Sequence, residues 1–368
     1  MTTETKTPLV SVRDLNVKFV SREATVNAVN DVSLTVQHGE VLCIIGESGS
    51  GKSVSMRALM RLLPERRAVI SGKLAVDGQD VLALKGKELA AFRGGEAAMI
   101  FQEPMTALDP VYTVGHQIAE TVRRHTGCSF EEGLARALEL LELVKVPSAK
   151  RRLNAFPHEL SGGLRQRAMI ALALSCRPKL LLADEPTTAL DATVQIQVLI
   201  LMRKLQQELG MGMIFVTHDL GVAAEIADRV AVMYAGRIVE TGTVQEVLTD
   251  PKHPYTKGML SSTVHGNMRG QDIEAIPGSP PDLRALPTGC SFGPRCAFAD
   301  SHCLEQLPPE VMLGNDRLAR CFKVDAAPAV AVLPKVREVL VARRGVGLAL
   351  VQAVHRLRWR LTNSPLPP

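Results

Sequence analysis

The sequence predicts an α/β core with an antiparallel β subdomain, a helical insertion and a small cysteine-containing C-terminal extension. Three observations predict the core. Residues 41–45 (VLCII) form a short apolar run of strand type, followed by the glycine-rich turn Gly46-Glu47-Ser48-Gly49-Ser50-Gly51-Lys52-Ser53 and a helical stretch at 53–63. Residues 180–185 (LLLADE) read as a buried strand that ends in two carboxylates, and residues 213–216 as another, ending in Thr217-His218-Asp219. The glycine-rich turn fits G-x-x-x-x-G-K-[ST]. Its glycines let successive N–H groups turn inward on a phosphate, and a helix N-terminus adds partial positive charge. In such a loop Lys52 reaches the β- and γ-phosphates and Ser53 ligands Mg²⁺. An apolar run ending in Asp places Asp184 to hold the same ion, directly or through water.

The remaining elements follow in order. Residues 9–19 (LVSVRDLNVKF) alternate as a strand, residues 26–36 give a second, and Gln37-His38-Gly39-Glu40 turns into the loop strand. Phe19 is either a platform for an adenine ring or an ordinary half-buried strand aromatic. Residues 72–81 read as a hairpin turning at Asp77-Gly78. In residues 99–110 (MIFQEPMTALDP) a strand end delivers Gln102 to a loop that Pro104 and Pro110 keep from becoming helix. A helical insertion spans about residues 105–165; Ser129 and Glu132 form a capping box, and Leu134, Leu138, Leu141 and Val144 share its apolar face. Residues 160–167 (LSGGLRQR) open a further helix at Ser161-Gly162-Gly163, again offering N–H groups to a phosphate. Residues 191–209 form an amphipathic helix with Val194, Val198, Leu201 and Leu205 on one face and Gly210 as its stop, and a hairpin turning at Ala235-Gly236 closes the domain.

Bulk properties narrow the class. The chain has 368 residues, 46% hydrophobic and 22% charged, with 4% aromatic, so an aliphatic core is expected. No apolar run approaches the roughly 20 residues that span a bilayer, and no signal pattern opens the sequence, so residence in the cytoplasm is expected. The net charge of +5 is uneven: from residue 331 onward seven Lys/Arg face one Glu, leaving the body near neutral. Clustered positive charge for a nucleic-acid backbone is therefore missing from the body.

The ordered set GESGSGKS, Gln102, LSGGLRQR, LLLADE, Asp191 and His218 resembles the nucleotide-binding subunit of an ABC transporter over about residues 8–260, LSGG being the most diagnostic piece. The resemblance implies a RecA-like P-loop ATPase core in which two subunits sandwich two ATP molecules head to tail. Each ATP would lie between the phosphate loop of one subunit and Ser161-Gly162-Gly163 of the other. It further implies Glu185 as general base, His218 as the γ-phosphate contact that orients the water, Gln102 in the Mg²⁺ shell and Asp191 at the dimer contact. Residues 261–325 resemble the extension of dipeptide and oligopeptide importer ATPases, and residues 326–368 read as a linker and basic tail with an amphipathic face of Leu350, Val354, Leu357 and Leu361. The expected partners are two transmembrane permease subunits, a second, related ATP-binding subunit and, indirectly, an external solute-binding protein, with the chain peripheral on the cytoplasmic face of a bacterial inner membrane. Nickel and glutathione importers share the family. A soluble ABC ATPase acting on ribosomes or DNA is the alternative; such proteins usually carry paired cassettes or long coiled-coil insertions, which this sequence lacks.

Of seven cysteines, Cys290, Cys296, Cys303 and Cys321 cluster in the extension. Without a C-x-x-C pair a zinc knuckle is weakly supported. Some relatives with this pattern hold a [4Fe–4S] cluster, for which four thiolates are the right ligand set. Plain buried thiols are the third reading, and Cys43, Cys128 and Cys176 are expected to be structural.

Overall fold

A computed structural model describes residues 7–103, 107–188, 190–262, 275–314 and 316–324. Pro104 and the basic tail of the sequence reading lie outside these residues. Strands β1 (Val10–Val20) and β2 (Thr25–Val36) lead into β3 (Val41–Ile45), the phosphate loop and helix α1 (Lys52–Leu59). Then come β4 (Ala68–Val76), β5 (Gln79–Asp80), α2 (Gly86–Ala91) and β6 (Ala97–Ile100). The insertion supplies α3 (Val114–Thr126), α4 (Phe130–Leu143) and α5 (Ala149–Arg152), and α6 (Gly162–Ala173) follows. The core then alternates β7 (Leu180–Asp184), α7 (Ala192–Leu209), β8 (Gly212–Thr217), α8 (Leu220–Ile226) and β9 (Arg229–Tyr234). After β10 (Arg237–Thr243), α9 (Val244–Thr249) and α10 (Pro254–Ser261), the extension adds α11 (Ser301–Glu305), β11 (Val311–Met312) and β12 (Leu318–Ala319).

Two sheets result. The antiparallel one runs β2-β1-β4-β5, its last hairpin turning at Asp77 (φ 47°) and Gly78 (φ 77°), the double positive φ that suits the strand twist. The larger runs β11-β12-β10-β9-β3-β8-β7-β6, parallel from β9 to β6 and antiparallel beyond β9. Its inner strands are apolar throughout because both faces are covered. Val41, Cys43 and Ile45 face the helical side, whereas Leu42 and Ile44 face the antiparallel sheet. Cys43 is thus a packed core residue, and burial pushes its thiol well above the usual range.

Parallel pairing has one consequence for function. The carboxyl ends of β3, β6, β7 and β8 lie on the same edge, so the phosphate loop, Gln102, Glu185 and His218 are delivered to one crevice.

Two local expectations differ from the structure. Helix α1 stops at Leu59, because Arg61 adopts φ 53° and Leu62 N–H bonds back to Arg57 O. In α4 the buried stripe is Gly133, Ala137, Leu140 and Leu141, with Val144 at its end, while Leu134 and Leu138 are half-exposed. Close approach of α3 is the reason. A Cβ on Gly133 would sit 2.8 Å from Ala119 O, so Gly133 rather than the neighbouring Leu134 faces that helix. The Ser129–Glu132 capping box is present as expected.

The extension is stitched to the core. β12 pairs with β10, Asn27 N–H donates to Leu283 O (2.9 Å), and Arg320 bridges Asp31 (2.9 Å) and Glu310 (2.5 Å).

Candidate functional site

Backbone geometry shapes the phosphate loop. Gly51, at the N-cap of α1, takes φ 101°, and a Cβ there would meet Ala28 O at 2.5 Å. Lys52 is 5% exposed, and its ammonium donates to Gly46 O (2.7 Å) and Glu47 O (2.8 Å). Burial lowers its pKa, opposed by the nearby carboxylates of Glu185, Asp184 and Glu47.

Ser53 and Asp184 meet directly, Ser53 Oγ donating to Asp184 Oδ1 at 2.7 Å. Asp184 is fully buried, and burial raises its carboxyl pKa. Its Oδ2 has no hydrogen-bond partner among the described residues, a state that costs on the order of 1–3 kcal/mol in a folded protein. A serine hydroxyl beside a buried carboxylate oxygen with a free lone pair suits a hard, oxygen-seeking cation such as Mg²⁺.

Glu185 is the point on which side chains from three strands converge. Its backbone N–H donates to Val216 O (3.0 Å) and its φ is 45°, a left-handed conformation uncommon outside glycine and concentrated at functional sites. Its Oε2 accepts from Thr188 Oγ1 (3.0 Å) and Gln102 Nε2 (3.3 Å), and His218 Nδ1 lies 3.2 Å away. Thr188 was not singled out from the sequence; the signal for it was a hydroxyl three residues after Glu185, in the turn following β7.

The other expected residues stand apart from this cluster. Ser161 holds the N-cap position of α6, exposed, with its hydroxyl capping nothing in its own helix. Gly163 packs on α7, where a Cβ would come within 2.7 Å of Val194 Cγ1. Asp191 caps that same helix, its Oδ1 accepting from Thr193 N–H (3.1 Å) and Val194 N–H (3.0 Å). Phe19 stands opposite Val26 and Ala68, half-buried against the core between the two sheets.

Cys290, Cys296, Cys303 and Cys321 line one pocket together with His253 and Phe292. Burial raises the thiol pKa of Cys290 and Cys296 and pushes Cys321 up to about 11. The Lys323 N–H donates to the Cys321 sulfur at 3.3 Å, whereas the N–H groups of Gly293 and Ala299 donate to the carbonyls of Cys290 (2.8 Å) and Cys296 (3.2 Å). Among the described residues, no three His, Cys, Asp or Glu side chains stand close enough as placed to hold a metal ion. The donor types therefore suit a thiolate-bound metal, while the spacing is wider than a bound one requires.

Comparison with known proteins agrees with this arrangement. Residues 29–188 match the family described as "ABC transporter", and residues 239–303 that described as "Oligopeptide/dipeptide transporter, C-terminal region". The chain is 47% identical to the oligopeptide transport ATP-binding protein OppD of Bacillus subtilis, over 90% of this chain and 95% of that protein. It is 46% identical to OppD of Salmonella typhimurium, over 86% and 93% respectively. Among solved structures, a dimeric ATP-binding cassette in a post-hydrolysis state bound to ADP and Pi superposes with a TM-score of 0.58 at 30% identity, covering 64% of this chain and 98% of that one. With relatives matched over nearly their whole length and both family regions in sequence, this chain belongs to the ATP-binding subunits of ABC transporters, in the oligopeptide and dipeptide importer branch.

Proposed function

We propose that the chain hydrolyses ATP to drive uptake of oligopeptides or dipeptides, working as one half of an ATPase pair beneath two transmembrane permease subunits. The observation that carries the mechanism is the convergence of Gln102, Thr188 and His218 on Glu185 Oε2, beside Lys52 and the Ser53–Asp184 pair. Glu185 is the general base for the attacking water. Thr188 and Gln102 donate to its carboxylate and hold it in one rotamer, and His218 orients the water and the γ-phosphate. Lys52 turns from its loop carbonyls to the β- and γ-phosphates when nucleotide enters. Ser53, Asp184 and Gln102 would hold Mg²⁺, which would supply positive charge to offset that of the phosphates. Gly46, Ser48, Gly49, Ser50 and Gly51 wrap those phosphates with Glu47 at the loop's turn, and Phe19 offers its exposed edge to the adenine.

Ser161, Gly162 and Gly163 serve the nucleotide of the partner subunit, with Asp191 beside that contact. The free N-cap hydroxyl of Ser161 and the dimeric cassette among the solved structures support this reading. The partner is a second, related ATP-binding subunit, and an external solute-binding protein delivers the peptide. No described helix is long and apolar enough to cross a membrane. Specific activity is expected to fall steeply as the ATPase pair is diluted. A Ser161→Ala subunit should impair hydrolysis at the site whose phosphate loop belongs to its partner. Full activity of a monomer, independent of concentration, contradicts this pairing.

The extension is proposed to hold a [4Fe–4S] cluster on Cys290, Cys296, Cys303 and Cys321. Support comes from four thiols lining one pocket and from the Lys323 N–H that donates to the Cys321 sulfur. Cluster binding requires thiolates, so the charge of the bound iron would have to offset the raised pKa values of Cys290, Cys296 and Cys321. Anaerobically purified protein is expected to be brown with absorbance near roughly 400 nm, and Cys296→Ser to bleach it. A colourless protein containing neither iron nor zinc leaves the four as ordinary thiols.

A further inference from the structure

Glu47 is the one acidic residue in the phosphate loop, placed where it should repel a triphosphate. The structure shows what counters it. Arg295, from the extension, sets its Nη1 at 3.0 Å from Glu47 Oε2 and 3.2 Å from Oε1. The same Nη1 lies 3.2 Å from the Tyr234 hydroxyl, and Arg295 Nε donates to Pro277 O at 2.8 Å. The guanidinium also lies 5.8 Å from the Tyr234 ring centre and 5.9 Å from that of Phe292. Its side chain is only 7% exposed against 29% for Glu47, so the cation is fixed in place and the carboxylate is drawn to it. Glu47 is held along its backbone as well: its N–H donates to the buried Tyr255 hydroxyl (2.9 Å), and its carbonyl accepts from Lys52 Nζ (2.8 Å).

We propose that Arg295 is a positioning residue of the nucleotide site. It neutralises Glu47, holds that carboxylate turned toward the extension, and thereby fixes the first turn of the phosphate loop. An ordinary surface ion pair is worth little, but this one is anchored by four further contacts on a buried cation. The extension thus supplies a group to ATP binding from 248 residues away in sequence. Because Arg295 directly precedes Cys296, disorder in the thiol pocket reaches the loop through one peptide bond.

This inference rests on the ATP-site reading, and the two can fail separately. The full chain is titrated with Mg-ADP by calorimetry, and steady-state ATP hydrolysis gives KM and kcat with the pairing subunit present. Arg295→Met is expected to raise the Kd for Mg-ADP and the KM for ATP about tenfold, the scale of a lost charge-assisted hydrogen bond, with kcat at saturation nearly unchanged. Glu47→Gln introduced into the Arg295→Met protein should recover most of that loss, since no unpaired charge then faces the phosphates. A merely structural role for Arg295 predicts no such recovery. Where Arg295→Met fails to fold by circular dichroism, Arg295→Gln runs through the same comparison. An unchanged Kd, or a double variant as weak as the single one, overturns the proposal. Failure of the unmodified chain to bind Mg-ADP overturns the ATPase reading instead.

Discussion

Glu185→Gln is expected to bind Mg-ATP with little loss and to hydrolyse it about 10²–10⁴-fold more slowly, the usual contribution of a general base. The substitution keeps size and keeps an acceptor for Thr188 and Gln102, so the crevice retains its shape. What disappears is the carboxylate that takes the proton from water. Slow turnover should trap the nucleotide-sandwiched pair, visible as a larger species by gel filtration in Mg-ATP and absent in Mg-ADP. Near-normal hydrolysis by this variant removes Glu185 from the role and leaves its left-handed backbone without a catalytic explanation.

Lys52→Ala acts on a different step. The ammonium is buried and holds the carbonyls of Gly46 and Glu47, so its loss takes away both a phosphate ligand and the internal tie that closes the loop. A hydrogen bond to a charged group is worth about 1.5–3 kcal/mol, so Mg-ATP affinity should fall by roughly 10–150-fold. Equilibrium binding measures it. The two variants therefore separate cleanly: one binds and does not turn over, the other scarcely binds. An affinity for Lys52→Ala within twofold of the unmodified chain would show that the phosphates do not sit on this loop.

Most of the catalytic crevice was legible in sequence because its chemistry is written in contiguous runs. GESGSGKS and LLLADE each end a buried strand, and parallel pairing sends those ends to the same edge. The two tight turns, at Asp77-Gly78 and Ala235-Gly236, were legible for a similar local reason: each carries a glycine at its second position, where positive φ is free of cost. What could not be read depends on distant partners. Nothing near Glu47 announces Arg295 or Tyr255, and neither lies in a motif. The α4 stripe was legible at Leu141 and Val144, which are buried, but not at Leu134 and Leu138, because periodicity alone favours leucine as the buried residue. It carries no knowledge that Ala119 approaches close enough to require Gly133. Asp191 reads as a dimer residue from resemblance but is already employed as a helix cap within its own chain, a duty that spacing could have indicated.

The pairing of β12 with β10 also bears on how the protein is made. A ribosome releases β10 long before β12, so the nascent cassette spends that interval with an unsatisfied sheet border exposed. Such borders recruit other strands, and long-range closure is slow. The antiparallel rim of the core is finished only when the last described residues emerge, which makes the extension a terminal seal on biogenesis. Truncation between Arg295 and β12 therefore threatens yield before it threatens catalysis.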